Sequence, residues 1–145
     1  MDNSFILHSN GARVIFINSF CQLIPFSFSI YYKIYPTSII TITTFFTSIN
    51  YWRKPNKYTI RRYTDIYCVL LGILYHLYLI YYYSLSNKYY YMIGVGSLLY
   101  PIEYKINKHN YYYIAICHSL LQIIASLICT SICHDIHLLN DFTHN

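Results

Sequence analysis

Residues 65–85 have the sequence DIYCVLLGILYHLYLIYYYSL, which has one acidic residue, at its start, and no lysine or arginine. A helix of this length covers about 30 Å, which is the thickness of the hydrocarbon core of a bilayer. We therefore predict that this stretch forms a membrane-spanning helix, with polar sequence before it and a Ser-Asn-Lys turn after it.

The composition excludes a soluble domain and a disordered chain. Of the 145 residues, 56% are hydrophobic, 20% are aromatic and only 10% are charged, against roughly 25% charged residues in soluble domains. Disorder requires low hydrophobicity and high charge, which is the opposite composition. The 20 tyrosines suit a membrane–water interface, where amphipathic rings are enriched. The sequence therefore predicts one all-α domain, residues 1–145, that is a polytopic transmembrane helical bundle.

Four more stretches are candidates for membrane helices. The first contains Pro25 and has no cleavage site typical of a signal peptide, so we expect a retained, kinked helix. The second is rich in Ser and Thr hydroxyls, which can bond to carbonyls within or between membrane helices. The fourth is short for a span, and a re-entrant segment is the alternative. The five predicted spans are residues 14–32, 37–52, 65–85, 89–102 and 111–133, with polar segments at 103–110 and 134–145.

The basic residues predict the orientation of this bundle, because Lys and Arg concentrate in cytoplasmic loops. With a cytoplasmic N-terminus and five spans, eight basic residues lie inside and two lie outside. The inside set is Arg13, Arg53, Lys54, Lys57, Arg61, Arg62, Lys105 and Lys108, and the outside set is Lys33 and Lys88.

Three polar residues are expected at one depth near the cytoplasmic side. Asp65 opens the third span, Ser48 lies one turn before the end of the second, and His118 lies about 10 Å into the fifth. These residues form a polar site if they face the interior of the bundle. The alternative is that Asp65 is a solvated interfacial acid, paired with Arg61 or Arg62 at a helix N-terminus.

Two further features are candidates for chemistry. His76 lies near the middle of the third span, where an ionisable residue is a functional candidate. The favoured explanation is a hydrogen bond from its neutral imidazole to a hydroxyl or carbonyl of a neighbouring helix. Cys129 and Cys133 share a helix face and are followed by His134 and His137. Soft sulfur and imidazole ligands at this spacing can bind zinc or copper(I). The alternative for this second group is two lipid-facing cysteines and a solvated tail. The five cysteines lie in apolar runs and predict no disulfide framework.

Three patches of the chain resemble a known family. They are Ser48-Ile-Asn-Tyr-Trp52, Arg61-Arg62-Tyr-Thr-Asp65 after a basic loop, and His118-Ser-Leu-Leu-Gln122. They resemble the membrane hydrolase superfamily of alkaline ceramidases, hemolysin III proteins and adiponectin-type receptors. In that family a Ser-x-x-x-His ends the second helix, an Asp opens the third and a His-x-x-x-His lies early in the last.

The resemblance implies Ser48 and Asp65 as catalytic residues and His118 as a metal ligand, with zinc as cofactor and a lipid amide as substrate. The chain departs from the family at two positions. Trp52 and Gln122 stand where the family has its other two histidines. A catalytic zinc normally has three protein ligands and a water, and a single imidazole does not supply that set.

The sequence therefore predicts a multi-pass integral membrane protein that is non-catalytic, a degenerate relative of this superfamily without a cofactor. One alternative is an active zinc-dependent hydrolase that uses Ser48, Asp65 and His118. The other is a helper subunit of a membrane complex, in which hydroxyl-rich helices pack against partner subunits. Membrane lipids are expected as partners in every case, and nucleic acid in none.

Overall fold

The computed structural model describes residues 9–56, 59–106 and 111–143, and nearly all of this part of the chain is helical. The predicted all-α fold is confirmed. The elements are α1 (Ser9–Asn18), a 3-10 turn (Ser19–Gln22), α2 (Leu23–Tyr31), α3 (Tyr35–Trp52), α4 (Ile60–Tyr82), α5 (Lys88–Ile106) and α6 (Tyr111–Thr143).

The prediction of five spans is wrong in its count. In the described part of the chain, three segments are long and apolar enough to cross a membrane: Asn10–Tyr31, Ile60–Tyr82 and Tyr113–Phe142. α3 is not among them, and seven of its 18 residues are Ser or Thr. The structure therefore has three apolar helices, with α3 and α5 packed beside them.

The last helix is much longer than expected. The predicted span 111–133 is part of a 33-residue helix that continues to Thr143, so residues 134–143 of the segment predicted as a polar tail are helical. His137 and Asp141 lie one turn apart on it, with 3.4 Å between Nε2 and Oδ2, and such i,i+4 pairs support a helix. α5 likewise continues past residue 102, to Ile106.

The first apolar segment changes its helical geometry before Pro25. The 3-10 turn Ser19–Gln22 separates α1 from α2. Proline has no N–H to donate to the carbonyl four residues earlier, which is that of Cys21, and its ring crowds that carbonyl. The local shift from α to 3-10 geometry at Ser19–Gln22 follows from this missing bond.

Two helices end in the same tight turn. Lys33 after α2 and Ser84 after α4 have positive φ angles of 60° and 51°. In both turns the N–H of the next residue bonds back to a carbonyl five residues earlier, Ile34 to Ser29 at 2.8 Å and Leu85 to Ile80 at 2.9 Å. This is the Schellman motif, which satisfies the last carbonyls of a helix.

Two apolar clusters lie one at each end of the bundle, and α3 and α5 run antiparallel to α1, α2, α4 and α6. The first end, defined by Ala12, Ile15, Trp52 and Ala115, joins the start of α1, the end of α3 and the start of α6. The second end, defined by Ile80, Leu85, Tyr89 and Ile132, joins the end of α4, the start of α5 and the later part of α6. α1 and α2 lie between α3 and α6, α4 packs on α3, and α5 packs on α6.

Between these ends the bundle is polar inside and apolar outside. The buried polar side chains include Ser19, Ser29, Thr37, Thr41 and Ser126. The exposed side chains include Ile17, Ile24, Leu71, Leu74, Leu120 and Leu127. This distribution is the reverse of that in a soluble protein, and it is the one expected where lipid surrounds the helices.

Candidate functional site

Ser48 and Asp65 meet at the contact between α3 and α4. The Ser48 hydroxyl donates to Asp65 Oδ1 at 2.6 Å, and Thr47 Oγ1 donates to the same oxygen at 3.3 Å. Asp65 is 6% exposed and Ser48 is 5% exposed. Asp65 is therefore an interior residue held by hydroxyls of α3, and the alternative of a solvated interfacial acid is wrong.

His118 joins the same site from α6. His118 lies close enough to Asp65 for a charge on its ring to act on the carboxyl group. The Trp52 indole packs against the His118 ring with the two ring centroids 4.6 Å apart. Trp52 is 4% exposed and belongs to the apolar cluster at the first end.

The donor set of this site does not fit a catalytic zinc. A three-ligand site needs nitrogen, sulfur or carboxylate donors, and Asp65 and His118 are the two that the site offers. The indole of Trp52 has no lone pair to give, and the Gln122 amide nitrogen is turned to Ser19 Oγ at 3.0 Å. Among the described residues, no three His, Cys, Asp or Glu side chains gather as a metal site.

Sequence reasoning missed a polar seam, which we define as Ser19, Cys21, Gln122 and Ser126, between the 3-10 turn and α6. Gln122 donates to Ser19 at 3.0 Å, and Ser126 donates to Cys21 Sγ at 3.1 Å. A signal was present, because Ser119, Gln122 and Ser126 follow the i, i+3, i+7 spacing of one helix face. Ser19 and Cys21, on the other side of the interface, follow no such spacing. The sequence therefore did not predict that they pair with Gln122 and Ser126.

The remaining candidates are placed apart from this site. His76 is buried in α4, and its Nδ1 donates to the Gly72 carbonyl of the same helix at 2.7 Å, not to a neighbouring helix as expected. Cys133 is fully buried, so it does not face lipid. His137 stacks on Tyr32 of α2 with centroids 4.5 Å apart, which gives this histidine a packing role at the second end.

The comparisons with known proteins give no relative for this chain: no family model, no curated protein and no solved structure matches it.

Proposed function

We propose that this chain is a non-catalytic, multi-pass integral membrane protein, in which Ser48, Asp65 and His118 form a structural cluster that holds α3, α4 and α6 together. The membrane part of this proposal rests on the three long apolar helices and on the outward-facing aliphatic side chains. The structural role of the cluster rests on its contacts.

The observation that carries the proposal is the position of Trp52. Its indole packs on His118 at 4.6 Å, at a position where the resemblance to membrane hydrolases implies a metal-binding imidazole. A buried indole fills the space there and leaves no imidazole at this position. Metal-assisted hydrolysis needs an open coordination position and a water, which this packing does not favour.

A second observation is that polar side-chain pairs link other helices of this bundle in the same way. Ser29 and Ser38 join α2 to α3 with 2.8 Å between their hydroxyl oxygens. Tyr89 of α5 donates to Asp135 of α6 at 2.6 Å. In membranes such polar contacts contribute to helix association. The Ser48–Asp65 pair is one more member of this set.

The experiment is a measurement of zinc content and lipid amide hydrolysis on the full chain purified in detergent. We expect no stoichiometric zinc and no hydrolysis above that of the Ser48→Ala variant. One equivalent of zinc that is lost in His118→Ala but retained in His137→Ala would contradict the proposal. His137 is a suitable control because it lies at the second end of the bundle.

The alternative function is an active membrane hydrolase, and the 2.6 Å contact between Ser48 and Asp65 with His118 nearby is the observation that favours it. In that case Ser48 and Asp65 act in catalysis and His118 contributes to holding the zinc. Hydrolysis of a lipid amide by the purified chain that disappears in both Ser48→Ala and Asp65→Asn would establish it.

The degenerate relationship to the hydrolase superfamily has its own test. Replacing both departing residues, Trp52→His with Gln122→His, restores three imidazoles at the positions that the resemblance implies. If the relationship is correct, the double variant binds zinc and the unmodified chain does not. Failure of a folded double variant to bind zinc would contradict the relationship.

A helper role in a membrane complex is compatible with the non-catalytic proposal. The outward side chains of α4, such as Leu71, Leu74 and Tyr78, are exposed, so lipid or another membrane subunit covers them. Recovery of the chain as a stable monomer from native membranes in a mild detergent would count against the helper role.

A further inference from the structure

Four basic side chains lie at the first end of the bundle, at the start of α1, the end of α3 and the start of α4. They are Arg13, Arg53, Lys54 and Arg61, and we call them the basic surface. Three of them are exposed, and Arg61 is half-buried. None of the four forms an ion pair within the part of the chain that the structure describes.

The hydrogen bond between Ser48 and Asp65 shows how α3 and α4 are aligned. The two oxygens are 2.6 Å apart, so the antiparallel helices lie side by side at these residues. Arg53 is five residues after Ser48, and Arg61 is four residues before Asp65. At 1.5 Å per residue, both lie about 6–8 Å beyond the bond, in the same direction along the bundle.

Arg13 reaches the same end of the bundle from α1. Ala12 precedes it and Ile15 follows it, and both belong to the apolar cluster that contains Trp52. Trp52 immediately precedes Arg53 in the sequence. Three helices therefore contribute cations to the first end.

The positive charge of this end is not balanced by an exposed acid on the helices that contribute it. Asp65 is the only acid of α1, α3 and α4, and it is buried. At the second end the charges are mixed. Asp135 and Asp141 lie there on α6, and Lys88 is 3.8 Å from the Asp135 carboxylate.

Apolar and aromatic side chains continue from the basic surface along the outside of the bundle. Ile17 lies one turn after Arg13 on α1 and is 65% exposed. Tyr63 and Tyr67 follow Arg61 on α4 and are also exposed, and tyrosine is enriched at the depth of lipid headgroups. A ligand that matches both features has an anionic headgroup and apolar chains, which a free phosphate ion lacks.

From this arrangement we infer that the basic surface binds the headgroups of anionic phospholipids, whose acyl chains lie along α1 and α4. A guanidinium group binds phosphate oxygens in a bidentate manner, and the lysine ammonium group binds them as a point charge. Near an anionic membrane surface, each Lys or Arg contributes about a fivefold gain in affinity. The inference rests on the membrane part of the proposed function and holds whether the Ser48–Asp65 cluster is structural or catalytic.

The test measures the lipid preference of the full chain in phosphatidylcholine vesicles that contain a trace of spin-labelled phosphatidylglycerol or spin-labelled phosphatidylcholine. Electron paramagnetic resonance gives the fraction of each probe that the protein immobilises. We expect a preference for the anionic probe that weakens at high salt, because salt screens exposed charges. The double variant Arg53→Gln with Lys54→Gln should lower this preference by about fivefold or more.

The matched control is Lys33→Gln with Lys88→Gln, which removes the same charge from the second end and should leave the preference unchanged. Equal losses in the two double variants would show that net charge attracts the probe, and that result would overturn the inference. If the first double variant does not fold, Arg13→Gln with Arg61→Gln removes two other charges of the basic surface and should have the same effect.

Soluble glycerophosphate distinguishes a lipid from a free phosphate compound. We expect it to displace the anionic probe no more than sodium chloride does at the same ionic strength. Complete displacement by glycerophosphate would overturn the assignment to lipid. A chain that enters the vesicles but immobilises both probes equally would overturn this inference alone, whereas a chain that enters no vesicle would contradict the proposed membrane protein as well.

Discussion

At the scale of single residues, the burial of Asp65 is the most consequential feature of the chain. Its carboxylate is 6% exposed and accepts hydrogen bonds from Ser48 and Thr47 on one oxygen. A buried carboxylate is costly unless it is bonded, so the hydroxyls of α3 are what make Asp65 tolerable. The stability of the contact between α3 and α4 should therefore depend on this acceptor.

We expect Asp65→Leu to lower the free energy of unfolding by about 2 kcal/mol, because it leaves the buried Ser48 hydroxyl without its acceptor. Asp65→Asn should cost less than half as much, since the amide keeps Oδ1 as an acceptor. Chemical unfolding in detergent measures both. The control is Asp141→Leu, because the exposed carboxylate of Asp141 lies 3.4 Å from His137 Nε2 and the loss of such a surface pair should cost less than about 1 kcal/mol. Equal effects for the three variants would contradict the interior role of Asp65.

The electrostatic link between Asp65 and His118 predicts energetic coupling. In a double-mutant cycle, Asp65→Leu and His118→Leu should interact by about 0.5–3 kcal/mol, as residues of one network do. The control cycle pairs Asp65→Leu with His137→Leu, at the second end of the bundle, and should be additive within about 0.5 kcal/mol. Zero coupling in the first cycle would separate His118 from the cluster.

At the scale of elements, some features of the structure could be predicted from the sequence and others could not. The depth of Ser48, Asp65 and His118 follows from helix rise alone, so their layer was predictable. The pairing of Gln122 with Ser19 was not, because it requires the position of α1 against α6. The extension of α6 was missed since polar residues 134–141 resemble a loop, although His137 and Asp141 have helical spacing. α3 was predicted as a span, but it is not one of the three long apolar helices. Its Ser and Thr residues lower its mean hydropathy even where their hydroxyls bond within the helix, as Thr41 bonds to the Thr37 carbonyl.

The two Schellman turns give a prediction at this scale. Lys33 and Ser84 adopt a left-handed conformation that costs an L-residue more than glycine. Lys33→Gly and Ser84→Gly should therefore each stabilise the chain by about 0.5–1 kcal/mol, measured as a higher unfolding midpoint. Ser27→Gly is the control, because Ser27 is exposed within α2 and glycine there should destabilise by up to about 1 kcal/mol. Destabilisation at the two turns would show that their side chains contribute more than the backbone costs.

At the scale of the whole molecule, the basic residues fall into two groups that lie at the two ends defined by the apolar clusters. Trp52 beside Ile15 and Ala115 brings the end of α3 to the first end, so Arg53, Lys54, Arg61 and Arg62 lie there with Arg13. Lys33 and Lys88 flank the turns of the second end. α3 thus runs from the second end to the first, and α5 starts at the second end and packs on α6. The antiparallel packing of the helices makes the position of the connecting loops a direct test of the topology.

The topology prediction is that the connection between α3 and α4 is cytoplasmic and that the turn between α4 and α5 is on the opposite side. The basic residues favour this orientation, since Lys and Arg near helix ends are retained on the cytoplasmic side. The chain contains no Asn-x-Ser/Thr site. Glycosylation at a site introduced in a short polar insertion can therefore be detected without background. We expect an insertion at Ser86 to be glycosylated and the same insertion at Lys54 to remain unmodified. Modification of both would place the two loops on one side, which requires that α4 does not cross the membrane. Modification at Lys54 alone would show that the orientation is reversed while α4 still crosses the membrane. The two insertions therefore distinguish an error in the predicted crossing of α4 from an error in the orientation inferred from charge.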